Sequence, residues 1–232
     1  MTLSRSEAFE AIYLTHSWGG RSHSGPGSDP EHSTSYLRFV NQWLEKHPDC
    51  RNIVELGCGD WATTSRIKFP PRHSYVGLDI VPGVIAMNRE RYQSEAVRFE
   101  CSDFLCQPPP GGDLLLIKDV LQHLTNACVH DFIRNVLPRF RYAIITNDVR
   151  KYEKWRRFGI ITIRRQLQEP NIDITDGSSR PLRLDAPPFS LEPAEKSTYS
   201  VLLRKNPRRV IYEKDIVVWC NNQSPATSAC TN

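Results

Sequence analysis

The chain has 232 residues, 39% of them hydrophobic and 24% charged, with a net charge of +4 and a pI near 8.7. That is enough for one globular domain with a real core, and no apolar run reaches the roughly 18 residues needed to cross a membrane. Seven scattered cysteines form no C-x-x-C pair, and residues 1–9 carry no apolar stretch, so the composition points to reduced thiols, no secretory signal and a cytoplasmic location.

The first predicted element is a short helix over Ser4–Thr15, with Phe9, Ile12 and Tyr13 on one face. Residues 16–31 read H-S-W-G-G-R-S-H-S-G-P-G-S-D-P-E, and six of these are Gly or Pro. No regular element survives such punctuation. A Trp, two His and an Arg are unusual in a spacer, so 1–32 is read as a lid segment. Ser33–His47 repeats Tyr36, Phe39, Val40, Trp43 and Leu44 at helical spacing, with Ser33 or Thr34 as its cap.

Ile53–Ala62, I-V-E-L-G-C-G-D-W-A, is the centre of the chain. A buried strand carries Glu55 into a turn made by Gly57 and Gly59, which allow a sharp bend and close approach to a ligand. A second strand, Tyr75–Ile80, ends in Asp79 about 20 residues on, where a carboxylate can accept from ribose hydroxyls. Pro82–Tyr92 is the next helix. A third strand, Val97–Cys101, ends in Ser102-Asp103-Phe104. A fourth, Asp113–Lys118, ends in Asp119. A helix over Ala127–Arg139, capped by Asn126, precedes a fifth strand, Tyr142–Thr146, ending in Asn147-Asp148.

Strand and helix alternate, which predicts a parallel sheet with helices on both faces and ligands at the carboxyl ends of the strands. Beyond Asp148 the pattern weakens. Val149–Arg165 has partial helical character cut by Gly159 and the Ile160–Ile163 run. Asn171–Leu191 is a long polar, proline-rich loop, and 149–195 is assigned as an insertion on the substrate side. Thr198–Leu203 and Val210–Cys220 are strand candidates, the second antiparallel at the sheet edge. Residues 1–220 are one domain and 221–232 a disordered tail.

E-L-G-C-G-D, V-G-L-D, S-D-F and K-D-V-L-Q-H-L in this order resemble class I S-adenosylmethionine-dependent methyltransferases over Tyr36–Asp148. The resemblance implies a Rossmann-like doubly wound sheet of seven strands, mostly parallel, with an antiparallel last strand. It implies S-adenosylmethionine as cofactor, with Glu55, Gly57, Gly59, Asp79, Ile80, Ser102, Asp103, Phe104 and Lys118 around it. Trp18, Tyr36, Gln122, Asn147 and Arg180 are assigned to the acceptor.

Methyl transfer from a sulfonium needs alignment, exclusion of water and, for a hydroxyl acceptor, removal of a proton. His123 has a suitable pKa for that base. Asp119, four residues earlier, lies on the same face if a helical turn follows the strand. The alternative is a divalent metal on Asp119, Asn147 and Asp148, less favoured because it needs two loops to converge.

The leading expectation is a methyltransferase acting on a hydroxyl of a small molecule or glycan, with no membrane partner. Nucleic acid is not expected, because the basic pairs after Asp148 are not interleaved with aromatics. Rival readings are an RNA or protein methyltransferase, an N-methyltransferase, an NAD(P)-dependent oxidoreductase suggested by G-x-G-x-x-A, and a non-catalytic partner subunit.

Overall fold

A computed structural model describes residues 4–157, 161–204 and 209–221. The strands are β1 (Asn52–Leu56), β2 (Ser74–Asp79), β3 (Val97–Cys101), β4 (Gly112–Lys118), β5 (Phe140–Arg157), β6 (Ile161–Gln166), β7 (Glu195–Arg204) and β8 (Arg209–Cys220). Their order is β3-β2-β1-β4-β5-β8-β7, with β6 pairing β5 off this path. The neighbours from β3 to β5 are parallel. β8 is antiparallel to both β5 and β7, so β7 runs with β5. The seven-stranded path is thus the Rossmann-like sheet the motifs imply, with β8 reversed between β5 and β7 rather than on the edge.

The central strands are apolar on both faces, as a sheet covered on both sides requires. Leu114 and Leu116 of β4 and Tyr142 and Ile144 of β5 meet Tyr36, Val40, Trp43 and Leu44 of α2 (Pro30–Lys46). Leu115, Ile117, Ala143 and Ile145, one residue out of phase, meet Val129, Phe132 and Val136. This period of two fixes the register, because a one-residue slip would exchange the faces. It also fixes which side chains reach the carboxyl ends of the strands. Strand order changes direction between β1 and β4, and the crevice at that switch point is where ligands bind in such sheets.

Local expectations hold at several ends. α1 (Arg5–Thr15) starts with a capping box between Ser4 and Glu7, and α3 spans Pro82–Tyr92. Others are corrected. α2 begins at Pro30 after Asp29, three residues before the predicted caps; proline at the first helical position has the right φ and loses no bonded N–H. Asp29 Oδ1 instead accepts from the N–H groups of Arg21 and Ser22.

The predicted helix over Ala127–Arg139 is α4 (Asn126–Asp131), continued by a π turn over Phe132–Val136 and a 3-10 turn over Leu137–Arg139. Thr125, not Asn126, caps it by accepting from Cys128 N–H. The largest correction lies beyond Asp148. β5 does not stop there but passes a bulge between Asp148 and Arg150 and pairs with β8 out to Lys154 and with β6 out to Arg157. Pairing on both edges over Tyr152–Lys154, with β6 and with β8, overrides the helix entertained for Val149–Arg165. The tail, 222–232, lies outside the described residues.

Candidate active site

A cavity of about 330 Å³ opens at the carboxyl ends of β1, β2, β4 and β5, within the size range of small-molecule sites. One lobe is built by the glycine turn. Gly57 and Gly59 have φ of +66° and +54°, where an L side chain is strained. A Cβ would also strike Val120 at Gly57 and Ser24 at Gly59. Asn88 of α3 donates to Gly59 O at 2.7 Å and fixes the turn from behind.

Asp79, 7% exposed, accepts from Gly59 N–H (3.0 Å) and Val81 N–H (3.1 Å), one on each oxygen. Each oxygen keeps a lone pair for a ligand hydroxyl. Glu55 is buried at the floor, accepting from Tyr75 Oη and from Thr64 Oγ1 (2.8 Å). Burial pushes its carboxyl up to about 7, against those two hydrogen bonds and Lys118. Ile80, Ser102, Asp103, Phe104 and Lys118 also line the cavity. Asp103 is held by Arg5 of α1, with Nη1 at 2.6 Å.

The second lobe holds Trp18, Asp119, Gln122, His123, Asp148, Tyr212 and Lys214. The helical turn expected to pair Asp119 with His123 is absent. Asp119 has φ +59° and a short 3-10 turn, Leu121–His123, follows. Asp119 instead binds two ammonium groups, Lys118 Nζ at 2.6 Å and Lys214 Nζ at 2.7 Å. Burial works against its charge, but the two lysines outweigh that and hold the carboxyl well below its usual range.

His123 takes its orientation elsewhere. Its Nδ1 lies 2.8 Å from Ser178 O. A carbonyl only accepts, so Nδ1 carries the proton and Nε2 is the basic nitrogen. Its ring packs on Trp18 with centroids 5.2 Å apart. Burial lowers its pKa, only partly opposed by the Ser178 carbonyl and the nearby carboxylates.

The N-terminal segment is seated on this cavity. Asp60 accepts from Ser22 Oγ (2.7 Å), His23 N–H (3.0 Å) and Ser24 Oγ (3.1 Å), and its own N–H donates to Ser24 Oγ (2.8 Å). Lys118 Nζ donates to Gly27 O at 3.0 Å. A Cβ on Gly27 would meet Asp119 Oδ2 at 2.7 Å, so only glycine fits this seat.

Three residues assigned to the acceptor stand apart from it. Tyr36 is fully buried in the α2 core, with Lys118 Nζ 5.7 Å from its ring centre. Arg180, 2% exposed, donates to Gln122 O (3.1 Å) and Asn126 Oδ1 (2.7 Å) and so braces the turn that carries His123. Asn147 is buried and does not line the cavity.

The metal alternative fits poorly. Lys214 Nζ lies 2.7 Å from Asp119 and 2.6 Å from Asp148, so these carboxylates already share a cation. Asn147, next to Asp148 on β5, points to the other face of the sheet. Sequence reasoning missed Lys214, Asp60, Arg5 and Ser178. Lys214 had one visible signal, a lysine paired with Asp215 immediately before the apolar run Ile216–Cys220.

No protein-family model matches the sequence, and no curated protein matches it. Solved structures do. Protein 1320 of Thermoplasma acidophilum is 9% identical, with 96% of this chain and 100% of that one covered and a TM-score of 0.54. TehB of Haemophilus influenzae is 12% identical over 83% of this chain and 65% of its own, with a TM-score of 0.54. DhpI, solved as a complex with SAH, is 13% identical over 93% and 98%, with a TM-score of 0.49. At such identities the likeness is one of fold alone, a Rossmann-like α/β sheet.

Proposed function

We propose that the protein transfers a methyl group from S-adenosylmethionine to a hydroxyl of a small polar acceptor, a sugar or polar metabolite. The observation that carries this reading is the neutral, oriented His123 at the junction of the two lobes, with Nδ1 committed to Ser178. An amine acceptor needs no such base, whereas a hydroxyl does.

The residues present fit the cofactor. Asp79 offers two lone pairs for ribose hydroxyls, Phe104 and Ile80 an apolar wall for a purine, and Asp103 with Arg5 a polar edge. Glu55 and the turn at Gly57 and Gly59 suit an ammonium-bearing amino-acid end. When bound, S-adenosylmethionine supplies a methyl group on a positively charged sulfur. His123 Nε2 takes the acceptor proton. Gln122 holds that base in place: its Oε1 accepts from Asp148 N–H at 2.6 Å, and its amide N–H₂ lies 3.3 Å from Asp148 Oδ2 and 3.4 Å from His123 Nε2, where an acceptor hydroxyl would take its place. Trp18 and the seated segment exclude water. Lys118 and Lys214 together neutralise Asp119 and Asp148, so the second lobe gains no net attraction for a charged acceptor; its mixture of amide, carboxylate, ammonium and aromatic groups supports a neutral polyol.

The test is transfer of labelled methyl to a panel of sugars, polyols and matched amines, with products identified by mass spectrometry. Methyl ethers are the expected products. Methylamines alone, made equally well without His123, would replace this reading with N-methylation.

A further inference from the structure

Three nitrogens of Arg5 reach three different segments. Nη1 donates to Asp103 Oδ2 after β3 (2.6 Å), Nε to Asp176 Oδ2 of the long loop (2.8 Å) and Nη2 to Cys128 Sγ of α4 (3.1 Å). Only 20–21% of each of the three charged side chains is exposed, so water screens these pairs only in part. Charge-assisted hydrogen bonds of this kind are stronger than neutral ones.

Asp103 belongs to the glycine-turn lobe, whereas Asp176 lies outside the cavity lining. The place of Asp176 in the loop gives it another use. Its Oδ1 accepts from the N–H of Thr125, the cap of α4, at 3.0 Å. Next to it, Gly177 N–H donates to His123 O at 2.9 Å. Next again, Ser178 O accepts the Nδ1 proton of His123 at 2.8 Å. α1 covers this turn: a Cβ on Gly177 would lie 3.3 Å from Ile12 and 3.6 Å from Ala8. Three consecutive residues thus hold Arg5, the His123 backbone and the His123 ring.

The hydrogen bond made by one ring nitrogen of a histidine decides which nitrogen is left basic. Ser178 is exposed and belongs to no helix or strand, so its carbonyl is only as well placed as the turn that carries it. The anchors of that turn are the two hydrogen bonds of the Asp176 carboxylate.

We infer that Asp176, held by Arg5, is a positioning residue for His123: it fixes the turn whose Ser178 carbonyl keeps the proton on Nδ1 and leaves Nε2 free. Through its other arm on Asp103, Arg5 ties the orientation of that ring to the glycine-turn lobe. His123 is a base only on the methyl-transfer reading, on which this role therefore rests, but the Nδ1–H contact is observable without turnover.

The experiment is nitrogen-15 NMR of the full chain labelled at histidine, with the His123 signal assigned by its loss in His123→Ala. In the wild type, Nδ1 should carry the proton and exchange it slowly with water. Asp176→Asn keeps an oxygen for Thr125 N–H but sets an amide N–H₂ against Arg5 Nε–H. It should quicken that exchange about tenfold, as for the loss of roughly one hydrogen bond, and lower kcat by a similar factor. Calorimetry should find its affinity for S-adenosylhomocysteine unchanged. Arg5→Gln should quicken the exchange as much and, because it also frees Asp103, weaken S-adenosylhomocysteine. Asp173→Asn removes the same charge from the same loop, where Asp173 accepts from Asn126 N–H (2.8 Å) and Ile174 N–H (3.0 Å), and should leave the exchange as it is. Should Asp176→Asn fail to fold, the exchange rate in Arg5→Gln carries the test. Wild-type exchange in either folded variant, a wild-type Nδ1 without a proton, or equal quickening in Asp173→Asn would overturn the inference. A chain that shows these exchange rates but transfers no methyl group would sink the methyl-transfer reading alone.

Discussion

The two lobes of the cavity are built in opposite ways. The glycine-turn lobe comes from successive strand ends, Glu55–Gly59, Asp79–Ile80 and Ser102–Phe104, and is tied together by hydrogen bonds such as Gly59 N–H and Val81 N–H to Asp79. The second lobe, to which we assign the acceptor, is assembled from segments far apart: Trp18, His123, Ser178 and Lys214. Its key contact, His123 to Ser178, spans 55 residues. A site of the first kind reads as a motif. A site of the second kind depends on tertiary packing, so variants in it should separate chemistry from cofactor binding.

The largest separation is expected at His123. His123→Ala should lower turnover by roughly 10²–10⁴-fold while calorimetry finds cofactor affinity unchanged. Burial holds this histidine below its ordinary pKa, so the wild-type rate should stay flat at neutral pH and fall only on the acid side of about 6.5. An Ala variant of full activity would remove His123 from the chemistry. At Asp79 the division should reverse. Asp79→Ala should weaken cofactor binding by about 1.5–3 kcal/mol, roughly 10- to 150-fold, as charge-assisted hydrogen bonds are lost. Unchanged affinity in a folded variant would break the assignment of that lobe.

A smaller effect belongs to the N-terminal segment seated on the cavity, which we read as a lid. Asp60 holds Ser22, His23 and Ser24. Asp60→Ala should speed hydrogen exchange across 18–28 about tenfold, equivalent to roughly 1.4 kcal/mol of one or two hydrogen bonds. Exchange that matches wild type with and without cofactor would mean the segment is fixed rather than hinged.

The mildest effect is a pH slope from Glu55. Its carboxyl is raised from 4.5 to about 7 by burial. A raised folded pKa gives stability that is complete below the unfolded value and is lost as pH rises through 7. Denaturant midpoints of the free protein should therefore fall between about pH 4.5 and 7, and Glu55→Gln should flatten that fall. An identical slope in the variant would assign it to other groups.

The same contrast explains what the sequence disclosed. The strand and glycine pattern from Ile53 to Thr146 was legible because each buried strand is a short apolar run ended by polar residues, and spacing alone places those ends together. Lys214 was not legible. Its partnership with Asp119 crosses 95 residues and depends on β8 inserting beside β5. Arg180 and Tyr36 were placed at the acceptor by residue type, yet burial makes one a brace of the His123 turn and the other a core residue. The part of β5 beyond Asp148 was misread because Tyr152 and Trp155, three residues apart, keep a helix-like spacing, and the segment becomes a strand only with β6 and β8 alongside.

The central claim is that the glycine-turn lobe is an S-adenosylmethionine site. Calorimetric titration of the wild-type chain with S-adenosylhomocysteine, and separately with NAD, tests it most directly. The account predicts one-to-one binding of S-adenosylhomocysteine that weakens in Asp79→Ala, and no heat from NAD. Saturable binding of NAD with none of S-adenosylhomocysteine would contradict it.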